Sequence, residues 1–302
     1  MPLLSSYHRT RLLLYTATGI CFVAFWWVGR MMGIPVNPGF EDSLLQQPHA
    51  LVAVLVVAVM LGVCTALGTA LAGSIRFNAG LVVACLGLSA LSMRSGAIRY
   101  TIFWGLGHGL SAQRIFGRLF FEMVILTVLV GGCWWALRSL HAMEFLRDRE
   151  HSPKKEPTDA EKPRHNEQAK GGAWDDAVTE VAAVGLQALV TLVLVLFLAA
   201  TEDKKQVLAA VFIGALVGPM ISHLFFASGP RGWYWVAPLV VGMIGYAFAW
   251  ANPAGAEIGV LKGALGALAR PLPLDYASAG TAGAIIGSWM SRRWARDREE
   301  AA

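Results

Sequence analysis

The stretch from Arg147 to Asp176 reads RDREHSPKKEPTDAEKPRHNEQAKGGAWDD and separates two strongly apolar parts of the chain. It has no apolar periodicity, and it contains three prolines, a Gly-Gly pair and a charged residue at about every second position. Such a segment buries too little apolar surface to offset the entropy that ordering would cost. We therefore predict a disordered cytoplasmic linker over 147–176, between an N-terminal membrane half (1–146) and a C-terminal membrane half (177–302).

The composition places both halves in a lipid bilayer. Of the 302 residues, 56% are hydrophobic and only 15% are charged, and the mean hydropathy is +0.53. A soluble domain of this length needs more charge to cover its surface. Repeated apolar runs of about 20 residues predict an all-α, polytopic helical membrane bundle. We expect a multi-pass protein of the cell membrane, which in a bacterium is the inner membrane.

The apolar runs predict about eight transmembrane helices, four in each half. Short connections between neighbouring runs make consecutive helices antiparallel. The predicted spans are 11–32, 50–71, 79–93, 119–140, 177–200, 206–227, 232–251 and 277–294.

The distribution of Lys and Arg predicts that both termini are cytoplasmic. With that orientation, sixteen of the 25 Lys and Arg residues flank the spans on the cytoplasmic side and eight lie outside. Cytoplasmic loops of membrane proteins carry this excess of positive charge. The net charge of +5 is modest and follows the span ends, so the sequence does not indicate a nucleic-acid partner.

Two glycine-rich segments interrupt the pattern of spans. Four of the eight outer cations fall between the third and fourth spans, which favours a re-entrant or interfacial segment near 98–113. A second glycine-rich, half-apolar segment, 252–276, follows the third span of the second half. Interrupted segments at matching positions of two halves are typical of transporter binding regions. Residue identity between the segments is slight, so repeat and chance resemblance both remain open.

The first interrupted segment leads into the main polar candidates, which are His108, Arg114, Arg118 and Glu122. Arg118 and Glu122 are four residues apart, so they share one face of a helix and can pair. A carboxylate inside a span is costly unless it is paired or faces water. Two interpretations stay open: a polar vestibule on the outer side, or a structural ion pair.

Three residues of the sixth and seventh spans are candidates for helix kinks: Pro219, His223 and Pro238. A proline inside a helix frees a carbonyl one turn back, and His223 is able to donate to such a group. A haem or metal role for His223 lacks a second ligand nearby, and each of the four cysteines stands alone. We therefore predict no cofactor and no metal.

The sequence indicates the location of the protein more clearly than its function. Our first hypothesis is a small-solute permease or pore-like bundle with a polar outer vestibule. The alternative is a non-catalytic structural or accessory subunit, in which the 147–176 linker binds a protein partner. A lipid-processing membrane enzyme is the third and weakest hypothesis, because no catalytic motif is found. Small residues at four-residue spacing also permit close helix packing, within one chain or in an oligomer.

Overall fold

The computed structural model describes residues 6–32, 43–47, 49–72, 78–151, 173–226 and 232–299. In chain order its α-helices are α1 (Ser6–Met31), α2 (Ala50–Ala72), α3 (Ala79–Arg94), α4 (Ile98–Gly107), α5 (Ala112–His151), α6 (Ala173–Leu198), α7 (Lys204–Phe225), α8 (Val236–Ala251), α9 (Pro253–Leu261), α10 (Pro273–Asp275) and α11 (Thr281–Glu299). Short 3-10 turns occupy Leu44–Gln46, Trp233–Trp235 and Ala267–Ala269. A π-helical turn, Tyr276–Gly280, joins α10 to α11, and we call these three elements together the terminal helix.

The all-α prediction is confirmed for the described part of the chain, where no strand occurs. Six of its helices are long and apolar enough to cross a bilayer, which supports a membrane protein. These candidate spans are Arg11–Met31, Ala50–Leu71, Ala112–Ala142, Ala177–Leu198, Lys204–Phe225 and Trp233–Ala251.

Among the described residues there are six or seven candidate spans, against the eight or so that the sequence predicts. The predicted third span is α3, which has only 16 residues and qualifies as a seventh span only together with α4. These two helices are bent by 51° relative to each other, and α4 lies within the predicted interrupted segment 98–113. The predicted eighth span, 277–294, falls in the terminal helix. There α11 carries six charged residues near its end, which lower its hydropathy below that of a span.

The predicted linker begins and ends in helix, because α5 extends into its first residues and α6 starts within its last residues. Helix α5 runs to His151, and α6 begins at Ala173. The rest of the predicted linker, residues 152–172, lies outside the described residues.

The order and lengths of the helices repeat between the two halves. Helices α1 to α4 contain 26, 23, 16 and 10 residues, and α6 to α9 contain 26, 22, 16 and 9. Each series is followed by one further helix, α5 in the first half and the terminal helix in the second. The halves meet reciprocally, because α5 packs against α8 and the terminal helix packs against α3.

The terminal helix lies in the centre of the bundle. Every residue from 271 to 285 is buried, and this stretch contacts α3, α5, α7 and α8. Close packing depends on small residues: a Cβ at Gly287 would overlap the carbonyl oxygen of Leu216 in α7. The small-residue pattern read from the sequence therefore serves helix packing within the chain.

Candidate functional site: a buried polar layer between the halves

Asp275 is a fully buried carboxylate in the first turn of the terminal helix. Its carboxylate accepts hydrogen bonds from Lys204 Nζ (2.7 and 3.0 Å), from the Leu272 backbone N–H (2.8 Å) and from the Ser92 hydroxyl. Pro273 begins the helix, and an acidic residue in the first helical turn satisfies a free N–H and complements the helix dipole.

These contacts join three separate elements at one carboxylate. Ser92 belongs to α3, Lys204 begins α7 and Asp275 ends α10. Both carboxylate oxygens have donors, and the opposite charge lies in direct contact. Asp275 is thus neutralised and hydrogen-bonded, as a buried charge requires.

Glu122 is the second buried carboxylate near the terminal helix, and its surroundings differ from those of Asp275. Its Oε2 atom accepts hydrogen bonds from the Ser43 hydroxyl and from the Leu45 backbone N–H (3.2 Å). The residue is 1% exposed, and its Oε1 atom has no hydrogen-bond partner in the described part of the protein. No nitrogen of a described Lys, Arg or His lies within 4.0 Å of this carboxylate.

Two buried tyrosines belong to the same region, where α5, α8 and the terminal helix pack together. The Tyr246 hydroxyl donates to the Pro271 carbonyl, and the Tyr276 hydroxyl donates to the Leu268 carbonyl (3.0 Å). Both tyrosines are fully buried, and Tyr276 follows Asp275 directly in the chain. We call Glu122, Tyr246, Asp275 and Tyr276 the polar layer, and it lies where α5 and the terminal helix pass each other.

Arg270 fixes the loop that leads into the terminal helix. Its Nε atom donates to the Leu265 carbonyl (2.8 Å), and its Nη1 atom donates to the Ala199 carbonyl at the end of α6. These two hydrogen bonds fix the loop between α9 and the terminal helix. The bond to Ala199 also satisfies a backbone carbonyl of the kind that a helix end leaves without a partner.

The four predicted vestibule residues do not converge in the structure. His108 is exposed at the end of α4, where its Nδ1 donates to the Trp104 carbonyl (2.8 Å). Arg114 is exposed, Arg118 is half-buried, and only Glu122 is buried. The predicted ion pair between Arg118 and Glu122 does not form, since Glu122 turns inward to Ser43 instead.

The predicted kink residues occupy three different settings. Pro219 is buried inside α7, which continues through it to Phe225. The His223 ring is half-buried, and its centroid lies 6.3 Å from that of Tyr234. Pro238 is in the first turn of α8, where a missing N–H removes no helical hydrogen bond. It packs instead against Gly280 at the end of the π-helical turn.

Sequence reasoning missed Ser43, Ser92, Lys204 and Asp275. A local signal exists for Asp275 alone, because proline followed two residues later by an acid just before an apolar run is typical of a helix start. Its partners lie 71 and 183 residues away in the chain, so no local pattern identifies them.

The described residues contain no group of three or more His, Cys, Asp or Glu side chains arranged to hold a metal ion. The cysteines Cys21, Cys64, Cys85 and Cys133 are free thiols. A scan against protein-family models found no match to this sequence, and comparisons with curated proteins and with solved structures found none either.

Proposed function

We propose that the protein is a cation-coupled permease for a small solute, with Glu122 as the group that binds the coupling ion. In this proposal the chain is a multi-pass protein of the cell membrane with both termini in the cytoplasm. The observation that carries the proposal is the contrast between the two buried carboxylates of the polar layer.

Asp275 has the properties of a structural group. Both of its oxygens accept hydrogen bonds from the chain, and its charge is balanced by Lys204. The Glu122 carboxyl group has no cationic partner within 4.0 Å and one oxygen without a hydrogen-bond partner in the described part of the chain. Ionisable residues in such positions in membrane proteins commonly mark ion or proton pathways.

The surrounding architecture supports the same proposal. Many carriers consist of two structural repeats, with the ion and solute sites between the repeats and beside interrupted helices. Here the two halves share a helix order, the pair α3–α4 is bent, and the carboxylates lie between the last helices of the halves. Movement of one half against the other would expose the polar layer alternately to the two sides.

Reconstitution into liposomes tests the proposal. The purified protein is assayed for uptake of radiolabelled amino acids, sugars, nucleosides and organic acids, with protein-free liposomes as background. We expect at least one class to accumulate, and E122Q to reduce that accumulation to background. The control is D297N, which alters an exposed carboxylate paired loosely with Arg293 (3.8 Å).

An opposite result would favour the accessory-subunit hypothesis. If no class accumulates and a stoichiometric protein partner is retained during purification from native membranes, the permease proposal is wrong. If a solute accumulates equally with wild type and E122Q, Glu122 has no part in coupling.

A further inference from the structure

A short non-helical segment lies against Glu122 in the interior of the protein. Residues 43–47 pack on α2 and α5 around the 3-10 turn Leu44–Gln46. Ser43 is 1% exposed and Gln46 is 5% exposed, although both are polar. Non-helical backbone at membrane depth is tolerated only where it is buried in protein or lines a water-filled cavity.

Ser43 and Gln46 are on the same turn. The Gln46 backbone N–H donates to the Ser43 carbonyl (3.1 Å), which closes one 3-10 turn between them. Ser43 precedes the turn and Gln46 ends it. The Ser43 hydroxyl reaches Glu122, so Gln46 lies one turn along the chain from that contact, in a segment that packs against α5.

Three polar atoms in this cluster are buried without a hydrogen-bond partner among the described residues. They are Glu122 Oε1 and both side-chain amide atoms of Gln46. Buried polar atoms in native proteins are nearly always satisfied, since leaving one unpaired costs about 1–3 kcal/mol. The amide and the carboxylate each present an oxygen atom, and the Ser43 hydroxyl oxygen adds a third.

The charge of the cluster specifies the class of ligand. It contains one carboxylate, and no cationic side chain of the described chain contacts it. Ca²⁺ takes six to eight oxygen ligands and Mg²⁺ keeps an octahedral set with water, so both suit more acidic or wetter sites. A single alkali-metal ion balances one carboxylate and accepts the neutral oxygen atoms of an amide and a hydroxyl.

We propose that Ser43, Gln46 and Glu122 bind one sodium ion. The binding itself rests only on these residues, whereas its role as coupling ion rests on the proposed permease function. In that role, sodium would hold the segment 43–47 against α5, and its release would free this contact when the halves move.

Binding of radioactive sodium to the purified full-length protein in detergent tests the site directly. Choline chloride replaces sodium chloride at constant ionic strength, so a general salt effect is excluded. We expect saturable binding of about one ion per chain, and a rise in Tm with sodium concentration because a ligand stabilises the folded state that binds it.

Three variants identify the residues. We expect E122Q and Q46L each to weaken sodium binding by roughly tenfold or more, which corresponds to at least about 1.4 kcal/mol. Q46L retains the carboxylate and so tests the site without removing its charge. Q113L, at an exposed glutamine of the first turn of α5, is the matched control and should bind as wild type does.

Failure of this site and failure of the permease proposal give different results. Absence of sodium binding by the wild type, or unchanged binding by E122Q and Q46L, overturns the sodium site. Solute uptake driven by a proton gradient, without sodium binding, would leave the permease and reject the site. Sodium binding with no solute uptake would retain the site and reject its role in coupling.

Discussion

The ion pair between Lys204 and Asp275 makes the sharpest stability prediction. Lys204 Nζ lies 2.7 Å from Asp275 Oδ1, and the two side chains are 16% and 1% exposed. The substitutions K204M and D275L remove the charges one at a time, and the double variant removes both. K205M is the matched control, because Lys205 is the next residue of α7 and its side chain is exposed.

The burial of the two side chains determines how much free energy of unfolding each substitution should cost. Breaking a buried ion pair from one side costs about 3–5 kcal/mol, since the remaining charge loses its partner. The partial exposure of Lys204 places K204M near the lower end, at about 3 kcal/mol, while Ser92 and Leu272 still donate to Asp275. D275L should cost at least as much, because it also leaves the Leu272 N–H without an acceptor.

The double variant decides whether the two charges stabilise each other. With both charges gone, no unpaired charge remains, so K204M/D275L should cost less than the sum of the single variants by at least about 2 kcal/mol. For a chain of this size K204M should lower Tm by roughly 6–12 °C. A thiol-reactive dye reports unfolding in detergent, because Cys21, Cys64 and Cys85 are buried in the folded protein.

Two results would refute this reasoning. If K204M unfolds at the same temperature as K205M, the pair does not stabilise the fold. If the costs of K204M and D275L simply add in the double variant, the two residues do not interact, and the ion pair does not hold α7 to the terminal helix.

Four further variants, including one control and one double variant, test the packing and the surface. G287A should destabilise the protein by about 1–3 kcal/mol, because the added methyl group overlaps the Leu216 carbonyl. In the same thermal assay its control, G132A, should be neutral or slightly stabilising, because a methyl group there meets no atom within 4 Å. Y246F should cost about 1–3 kcal/mol by removing the donor to a buried carbonyl, and an unchanged Tm would contradict that hydrogen bond. The double variant R114Q/R118Q should change the free energy of unfolding by less than about 1 kcal/mol and leave sodium binding intact; loss of binding would return these arginines to the site.

The sequence predicted best those helices that are apolar along their whole length. The predicted spans 50–71 and 79–93 correspond to α2 (Ala50–Ala72) and α3 (Ala79–Arg94). The span predicted at 119–140 is much longer in the structure, because α5 continues at both ends through residues that favour a helix without being apolar. Hydropathy detects the part of a helix in the bilayer and misses its polar extensions.

The candidate site was predictable only in part. Glu122 stood out as a carboxylate inside an apolar run, and the structure places it in the polar layer. Its expected partner, Arg118, was inferred from a spacing of four residues, yet a long cationic side chain near a helix end extends toward the polar surroundings while the shorter carboxylate remains inside. The actual partner, Ser43, is 79 residues away in sequence, and tertiary packing alone brings it there.

Charge movement in the membrane tests the central claim most directly. Proteoliposomes adsorbed to a solid-supported membrane are exposed to a jump in sodium concentration. Sodium chloride replaces choline chloride at constant ionic strength, and no solute is added. Wild type and D297N should give a saturable transient current as sodium enters the Glu122 site, and E122Q should give none. Equal currents from wild type and E122Q, or no sodium-dependent current from any of the three, would contradict Glu122 as the cation-binding group.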